Sequence, residues 1–207
     1  MMPILTRQSL QEKKSSEKWK ELYQHYVKHK PTILSRLKEF KQKRNEQEIF
    51  QELCFCILAA NTSSRMASRV MEGVGDVIFT GSQEDIKDKL HALHCRFYNK
   101  RAEYIFHARN IPLQFERDYL AENIKGFGYK ESSHFLRNMG YSGYAILDKH
   151  VLRAMQEFGI IKKIPTMNKK NYLHLEKKLQ KFSQELDIGM DELDFVLWSR
   201  KSGEILK

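Results

Sequence analysis

The sequence predicts an all-α protein. Apolar residues recur in steps of three and four through nearly every segment of the 207-residue chain, the spacing that lines one face of a helix. No segment shows a convincing alternation of apolar and polar residues, the mark of a half-buried strand. There are no internal repeats or low-complexity stretches, and 4 Pro and 10 Gly give little sign of flexible linkers.

Trp19, Leu22, Tyr23, Tyr26 and Val27 form a first stripe, expected to end at His29-Lys30-Pro31 because proline lacks the N–H that a helix interior uses. Ile33, Leu34, Leu37 and Phe40 form a second. Asn45 with Glu48 has the form of a capping box, and it opens an almost continuously apolar helix through Ala60. A helix that is apolar on most sides is buried on most sides, which puts this one at the centre of the fold. Helices near 63–73 and 84–93 follow, then one over 100–109. A short helix over 119–124 and another over 129–139 flank a glycine hairpin, and a further helix begins Lys149-His150-Val151-Leu152. Residues 160–165 read as a connection. Tyr172, Leu175, Leu179, Phe182 and Leu186 make the cleanest amphipathic helix of the chain. The last helix holds Leu193, Phe195, Val196, Leu197 and Trp198, with Gly203 as its stop.

Charge and cysteine content narrow the possible functions. Lys and Arg number 36 against 26 Asp and Glu, a formal net charge of +10. That balance suits a polyanionic partner, although surplus lysine also simply keeps a helical protein in solution. The three cysteines, Cys54, Cys56 and Cys95, form neither a metal set nor a disulfide framework. Cys54 and Cys56 lie in an apolar run, where free cysteine behaves as a small buried hydrophobe. No cysteine follows Cys95, so a four-cysteine iron–sulfur loop near the C-terminus is excluded. Met1-Met2-Pro3-Ile4-Leu5-Thr6-Arg7 holds no long apolar segment. Neither signal peptide nor membrane span is therefore expected, and the location expected is intracellular, cytoplasmic or nucleoid-associated.

The most informative segment is Ile124-Lys125-Gly126-Phe127-Gly128-Tyr129-Lys130-Glu131, read together with Asp148 in Ala145-Ile146-Leu147-Asp148-Lys149-His150. Glycines at 126 and 128 tolerate positive φ and let a strand of DNA approach the backbone closely. Unpaired N–H groups and the positive end of the helix dipole favour a phosphate at that turn. A lone Gly-x-Gly is common in helix–helix turns; Lys130 is what adds chemistry. A lysine in a helix's first turn is usually just solvated, and the dipole mildly disfavours its charge. For a nucleophile that disadvantage is useful, because the free amine must be populated near neutral pH. Asp148 can accept a proton from the amine and stabilise an oxocarbenium-like sugar as a base departs. It equally suits the N-cap of the helix beginning at Lys149, and the roles are compatible because a cap holds its carboxylate rigidly. Together these residues describe an enzyme that docks on DNA and attacks a sugar carbon.

On these residues the chain resembles the helix-hairpin-helix/Gly-Pro-Asp DNA glycosylase superfamily, the lysine being the mark of its bifunctional glycosylase/AP lyase branch. More narrowly, it is similar to the archaeal-type 8-oxoguanine DNA glycosylases, the second Ogg family. The similarity runs through Cys54-Phe55-Cys56-Ile57-Leu58-Ala59-Ala60-Asn61, Arg96-Phe97-Tyr98-Asn99-Lys100-Arg101-Ala102-Glu103-Tyr104-Ile105, the hairpin and the terminal Gly203-Glu204-Ile205-Leu206-Lys207. One departure is Lys125, where the family carries proline before the first hairpin glycine; a lysine there offers a further phosphate contact.

The resemblance implies a mechanism. Lys130 attacks C1′, the oxidised base leaves, a Schiff base forms, and β-elimination cuts the strand on the 3′ side, with no metal and no organic cofactor. The base must leave the duplex first. Asn61 stands at the family's plug position, with capping of the following helix as the alternative role. Arg96, Phe97 and Arg101 lie in the segment that reaches the opposite strand, where an arginine reads the orphaned cytosine and an aromatic wedges the stack. Which arginine does so stays open. Gly126, Phe127, Gly128 and His150 complete the expected DNA contacts. For the base itself the resemblance points to the carboxylate of Lys207, to Trp198 as stacking partner or core residue, and to His134. His134 follows Lys130 by one helical turn, as a pocket residue or a surface histidine.

These assignments imply two helical domains with a cleft between them that holds Lys130 and Asp148. Residues 45–145 form one, with the helix-hairpin-helix at about 119–139, and 1–44 join 146–207 in the other. The expected partner is double-stranded DNA containing 8-oxoguanine, with no membrane association and a monomeric state. Two rivals stand beside this reading. An endonuclease III-like glycosylase for other oxidised bases usually carries the iron–sulfur cluster that this chain cannot build. A non-catalytic helix-hairpin-helix module would need the hairpin but neither Lys130 nor Asp148.

Overall fold

In the computed structural model the described residues are 17–203 and 205. They form eleven helices and no strand. The chain divides into two compact units, one of Glu39–Ser142 and one that joins the chain up to Lys38 with Gly143–Ile205. No helix among the described residues is long and apolar enough to cross a membrane.

The first helix, α1 (Glu17–Phe40), continues through Pro31, which corrects the break expected there. An interior proline removes a backbone hydrogen bond and costs ~3 kcal/mol or more in a helix left to itself. Here Trp19, Leu22, Tyr26, Ile33 and Phe40 stay buried and in helical phase on both sides of it. Val27, whose carbonyl loses its donor, is exposed along with Pro31, so water can satisfy that carbonyl. Tertiary burial therefore overrides the local breaker. Tyr23, Val27 and Leu34, assigned to the apolar stripes, are instead exposed.

In the unit of Glu39–Ser142 the central helix is α2 (Glu46–Ala59), buried from Glu52 to its end. Its start is the expected capping box: the Glu48 N–H donates to Asn45 Oδ1 at 2.9 Å, and the Asn45 N–H to Glu48 Oε2 at 2.8 Å. Around it lie α3 (Ser64–Val74), α4 (Val77–Thr80), α5 (Gln83–Ala92), α6 (Tyr98–Ala108), α7 (Arg117–Asn123) and α8 (Tyr129–Asn138). α2 packs against α3, α6 and α8. Four-residue α4 was not foreseen, since one turn shows no periodicity. A buried polar anchor joins α8 to α2, with Asn138 Nδ2 donating to Glu52 Oε1 at 2.7 Å and Arg44 Nη1 donating to the Asn138 carbonyl at 2.5 Å. Leaving Glu52 or Asn138 without such a partner at this depth would cost about 1–3 kcal/mol, so the anchor also sets register.

The other unit contains α9 (Lys149–Glu157), α10 (Lys169–Leu186) and α11 (Met190–Ser202). Phe182 of α10 meets Trp19 edge-on at 5.2 Å and Phe158 at 5.6 Å, an aromatic centre for this core. α10 also holds the extended segment that leads into α9. The Tyr172 hydroxyl donates to the Ala145 carbonyl at 2.5 Å and accepts from the Leu147 N–H at 3.3 Å, while Glu176 accepts from the Ala145 N–H at 2.9 Å.

Candidate active site

The hairpin joins α7 to α8 with no spare backbone. The Ile124 N–H closes on the Leu120 carbonyl at 3.0 Å, and the Phe127 N–H returns to the Ile124 carbonyl at 3.0 Å. Between them Gly126 sits at φ +85°, in the left-handed region, with the Tyr104 ring where a side chain would be: an added Cβ would lie 2.4 Å from it. Phe127 turns inward, buried, with its ring 6.2 Å from that of Phe135. Gly128 is the N-cap of α8 and has no side chain to cap with. Among the described residues the N–H groups of Gly126, Lys130 and Glu131 donate to no protein acceptor. A helix start that leaves N–H groups of this kind open can seat an anion.

Lys130 stands half-buried in the first turn of α8, its Nζ 3.0 Å from Glu131 Oε1. The other carboxylate oxygen of Glu131 accepts from the Gly128 N–H at 3.3 Å. Glu131 therefore ties the lysine and the hairpin to one carboxylate, a role the sequence reading missed although the third helical position is where capping-box acids stand. Lys125, directly before the first hairpin glycine, is 3.0 Å from Glu103 Oε1 and so is paired within the fold.

Asp148 is the N-cap of α9: its Oδ1 accepts from the His150 and Val151 N–H groups, each at 2.8 Å. Its other oxygen accepts from none of the described residues. The capping role is thus present, and half of the carboxylate remains for chemistry. His150 is half-buried in the first turn of α9.

Asn61 and Phe97 share an uncommon backbone. Both are exposed and left-handed, at φ 55° and 56°, a region asparagine tolerates and a bulky phenylalanine rarely adopts. Asn61 does not cap the following helix; Ser63 does, accepting from the Met66 N–H at 3.2 Å. Arg96 is exposed, its guanidinium carbon 5.1 Å from the Phe97 ring. Arg101 is only 4% exposed, with Nη2 donating to the Ala60 carbonyl at 2.6 Å and Nη1 to Cys95 Sγ at 3.2 Å.

His134 is buried with its ring edge-on to Phe55 at 5.9 Å, so the surface alternative does not describe it. Trp198 is half-buried in α11. Lys207 lies outside the described residues. All three cysteines are buried, and burial pushes the Cys54 thiol far up from its ordinary range. Among the described residues no group of three or more His, Cys, Asp or Glu side chains is arranged to hold a metal ion.

Comparison with known proteins adds an independent line. Residues 33–188 match the Ogg-HhH family, described as 8-oxoguanine DNA glycosylase. The 8-oxoguanine DNA glycosylase/AP lyase of Methanocaldococcus jannaschii is 42% identical over 86% of this chain and 93% of its own. That of Korarchaeum cryptofilum is 40% identical over 84% and 90%. Among solved structures, the 8-oxoguanine DNA glycosylase of Thermotoga maritima superposes with a TM-score of 0.85 at 36% identity, over 91% of this chain and 97% of that one. The Methanocaldococcus jannaschii enzyme in complex with a 15mer DNA containing 8-oxoguanine gives 0.80 at 38% identity, over 96% and 97%.

Proposed function

The chain belongs to the 8-oxoguanine DNA glycosylase family, and from that premise we infer that it excises 8-oxoguanine from duplex DNA and then cuts the strand at the abasic site it has made. The observation that carries the reading is Lys130, a primary amine in the first turn of α8, two residues beyond the Gly-Phe-Gly hairpin. An anion seat and a nucleophile side by side are what an enzyme acting next to a phosphate requires.

The steps follow from the residues. A phosphate of the damaged strand sits at the hairpin, held by the N–H groups of Gly126, Lys130 and Glu131. Nζ of Lys130, as the free amine, bonds to C1′ while the glycosidic bond breaks, and the electron pair of that bond leaves with the oxidised base, which departs as an anion and takes its proton from water. Asp148 stabilises the positive charge that builds on the sugar and receives the proton the amine sheds. The ring then opens to a Schiff base between Nζ and C1′. Loss of a C2′ proton expels the 3′ phosphate, which is the lyase cut. Asn61 fills the gap in the duplex, Phe97 wedges the stack, and exposed Arg96 reads the orphaned cytosine. His134 and Trp198 are the candidate contacts to the extruded base, and His150 adds to the DNA contacts. One such set per chain needs no second copy, so the working unit is a monomer acting on DNA inside the cell.

The test is chemical trapping. Incubation with a duplex carrying 8-oxoguanine opposite cytosine, followed by borohydride, is expected to give a covalent protein–DNA band, absent in Lys130→Gln while that variant still binds the duplex. Trapping only on an oxidised pyrimidine would keep the lysine and overturn the lesion. No trapping on either, or on an abasic site, would leave a DNA-binding module as the better reading.

A further inference from the structure

Asn61 and Phe97 hold left-handed backbone conformations, strained for a bulky residue such as phenylalanine and readily adopted by few residue types, and such strain persists only where the surroundings fix it. One side chain reaches both turns. Arg101 Nη2 bonds to the carbonyl of Ala60, directly before Asn61. Nη1 bonds to the sulfur of Cys95, two residues before Phe97. Its own backbone N–H closes on the Phe97 carbonyl at 3.0 Å, and its guanidinium carbon stands 5.8 Å from the Phe97 ring. The guanidinium is buried, and among the described residues no carboxylate pairs with it. A buried cation answered only by a carbonyl, a thiol and an aromatic ring is a poor device for stability, since apolar side chains of similar volume would often serve as well or better.

We propose that Arg101 is the positioning residue for base extrusion: a single guanidinium fixes the two left-handed turns that carry Asn61 and Phe97, so that plug and wedge enter the duplex as one rigid pair. This rests on the reading that the chain flips 8-oxoguanine out of DNA. It also assigns the two arginines of the segment different tasks, Arg96 outward to the opposite strand and Arg101 inward to the turns. Only arginine offers two donors in a fixed planar fork; lysine reaches one acceptor or the other.

The experiment separates extraction of a stacked base from chemistry that follows it. Two rates are measured on each protein: single-turnover excision of 8-oxoguanine opposite cytosine, and borohydride trapping on a duplex with a preformed abasic site, where no base has to leave the stack. Arg101→Met and Arg101→Lys are expected to slow excision at least about tenfold and to change trapping less than about twofold. Cys95→Ala, which removes one acceptor and no charge, gives the same split more weakly. Arg109→Met is the control, because Arg109 is a second strut of the same unit, donating to the carbonyls of Val77, Ile78 and Gly81, with no link to either turn. Its ratio of the two rates stays at the wild-type value. Equal loss of both rates in the Arg101 variants, or no loss of excision, overturns the proposal. Should Arg101→Met not fold, Arg101→Lys and Cys95→Ala carry the test. A wild-type protein that traps abasic DNA but excises no 8-oxoguanine defeats the functional reading instead, which this design reports separately.

Discussion

Asp148 shows how one side chain can be asked two questions at once. Its Oδ1 caps α9 through two backbone N–H groups, and asparagine offers the same oxygen in the same place. Asp148→Asn is therefore expected to leave stability within about 0.5 kcal/mol of wild type, since Asn and Asp cap equally well. It removes the charge and the base, and excision should fall by about 10²–10⁴-fold. Asp148→Ala loses the cap as well, at a cost of about 1 kcal/mol seen in thermal unfolding. An asparagine variant that excises at the wild-type rate would reduce Asp148 to a cap. The same residue explains what the sequence could and could not tell. The cap was readable from a single Asp before Lys149-His150, and the proposed acid–base work asks for the same group. Glu131 was not read, because its importance arises only when the folded hairpin brings the Gly128 N–H and the Lys130 amine to one carboxylate.

At the scale of elements, helices announced by local chemistry were legible and those decided by tertiary burial were not. The Asn45–Glu48 box predicted the start of α2 because its partners lie three residues apart. Pro31 misled because its cost is local and its compensation, burial of Ile33 and Phe40, is not. The hairpin lies between these cases: its glycines were read correctly as a turn, but Tyr104, from α6, is what makes Gly126 irreplaceable. Gly126→Ala must place a methyl group into that ring from a left-handed backbone, and about 1–3 kcal/mol of destabilisation follows. Since the proposed phosphate seat would shift with it, the dissociation constant for duplex DNA should rise as the melting temperature falls. Wild-type affinity in a Gly126→Ala protein would show that the hairpin is not the seat.

For the molecule as a whole, the +10 charge bears on docking rather than on fold. Formal charge overstates what DNA can use. Arg101 and Arg109 are engaged by carbonyls inside the fold, and Lys125 is paired with Glu103. The Lys125 pair is partly exposed, where solvent screens the attraction, so a phosphate can take the lysine from Glu103 at little cost. Each phosphate neutralised releases counterions and adds about 0.9 to the slope of log affinity against log salt. With Lys130→Gln protein, which binds without cutting, affinity for a lesion duplex measured between about 50 and about 200 mM salt should fall with a slope of about 4 to 6. Lys125→Ala in that background should lower the slope by about 1 and weaken binding alike on damaged and undamaged duplexes, as a phosphate contact does. An unchanged slope would mean that Glu103 keeps the lysine in the complex. In that case the departure from the family's proline belongs to the folding of the hairpin and not to its grip on DNA.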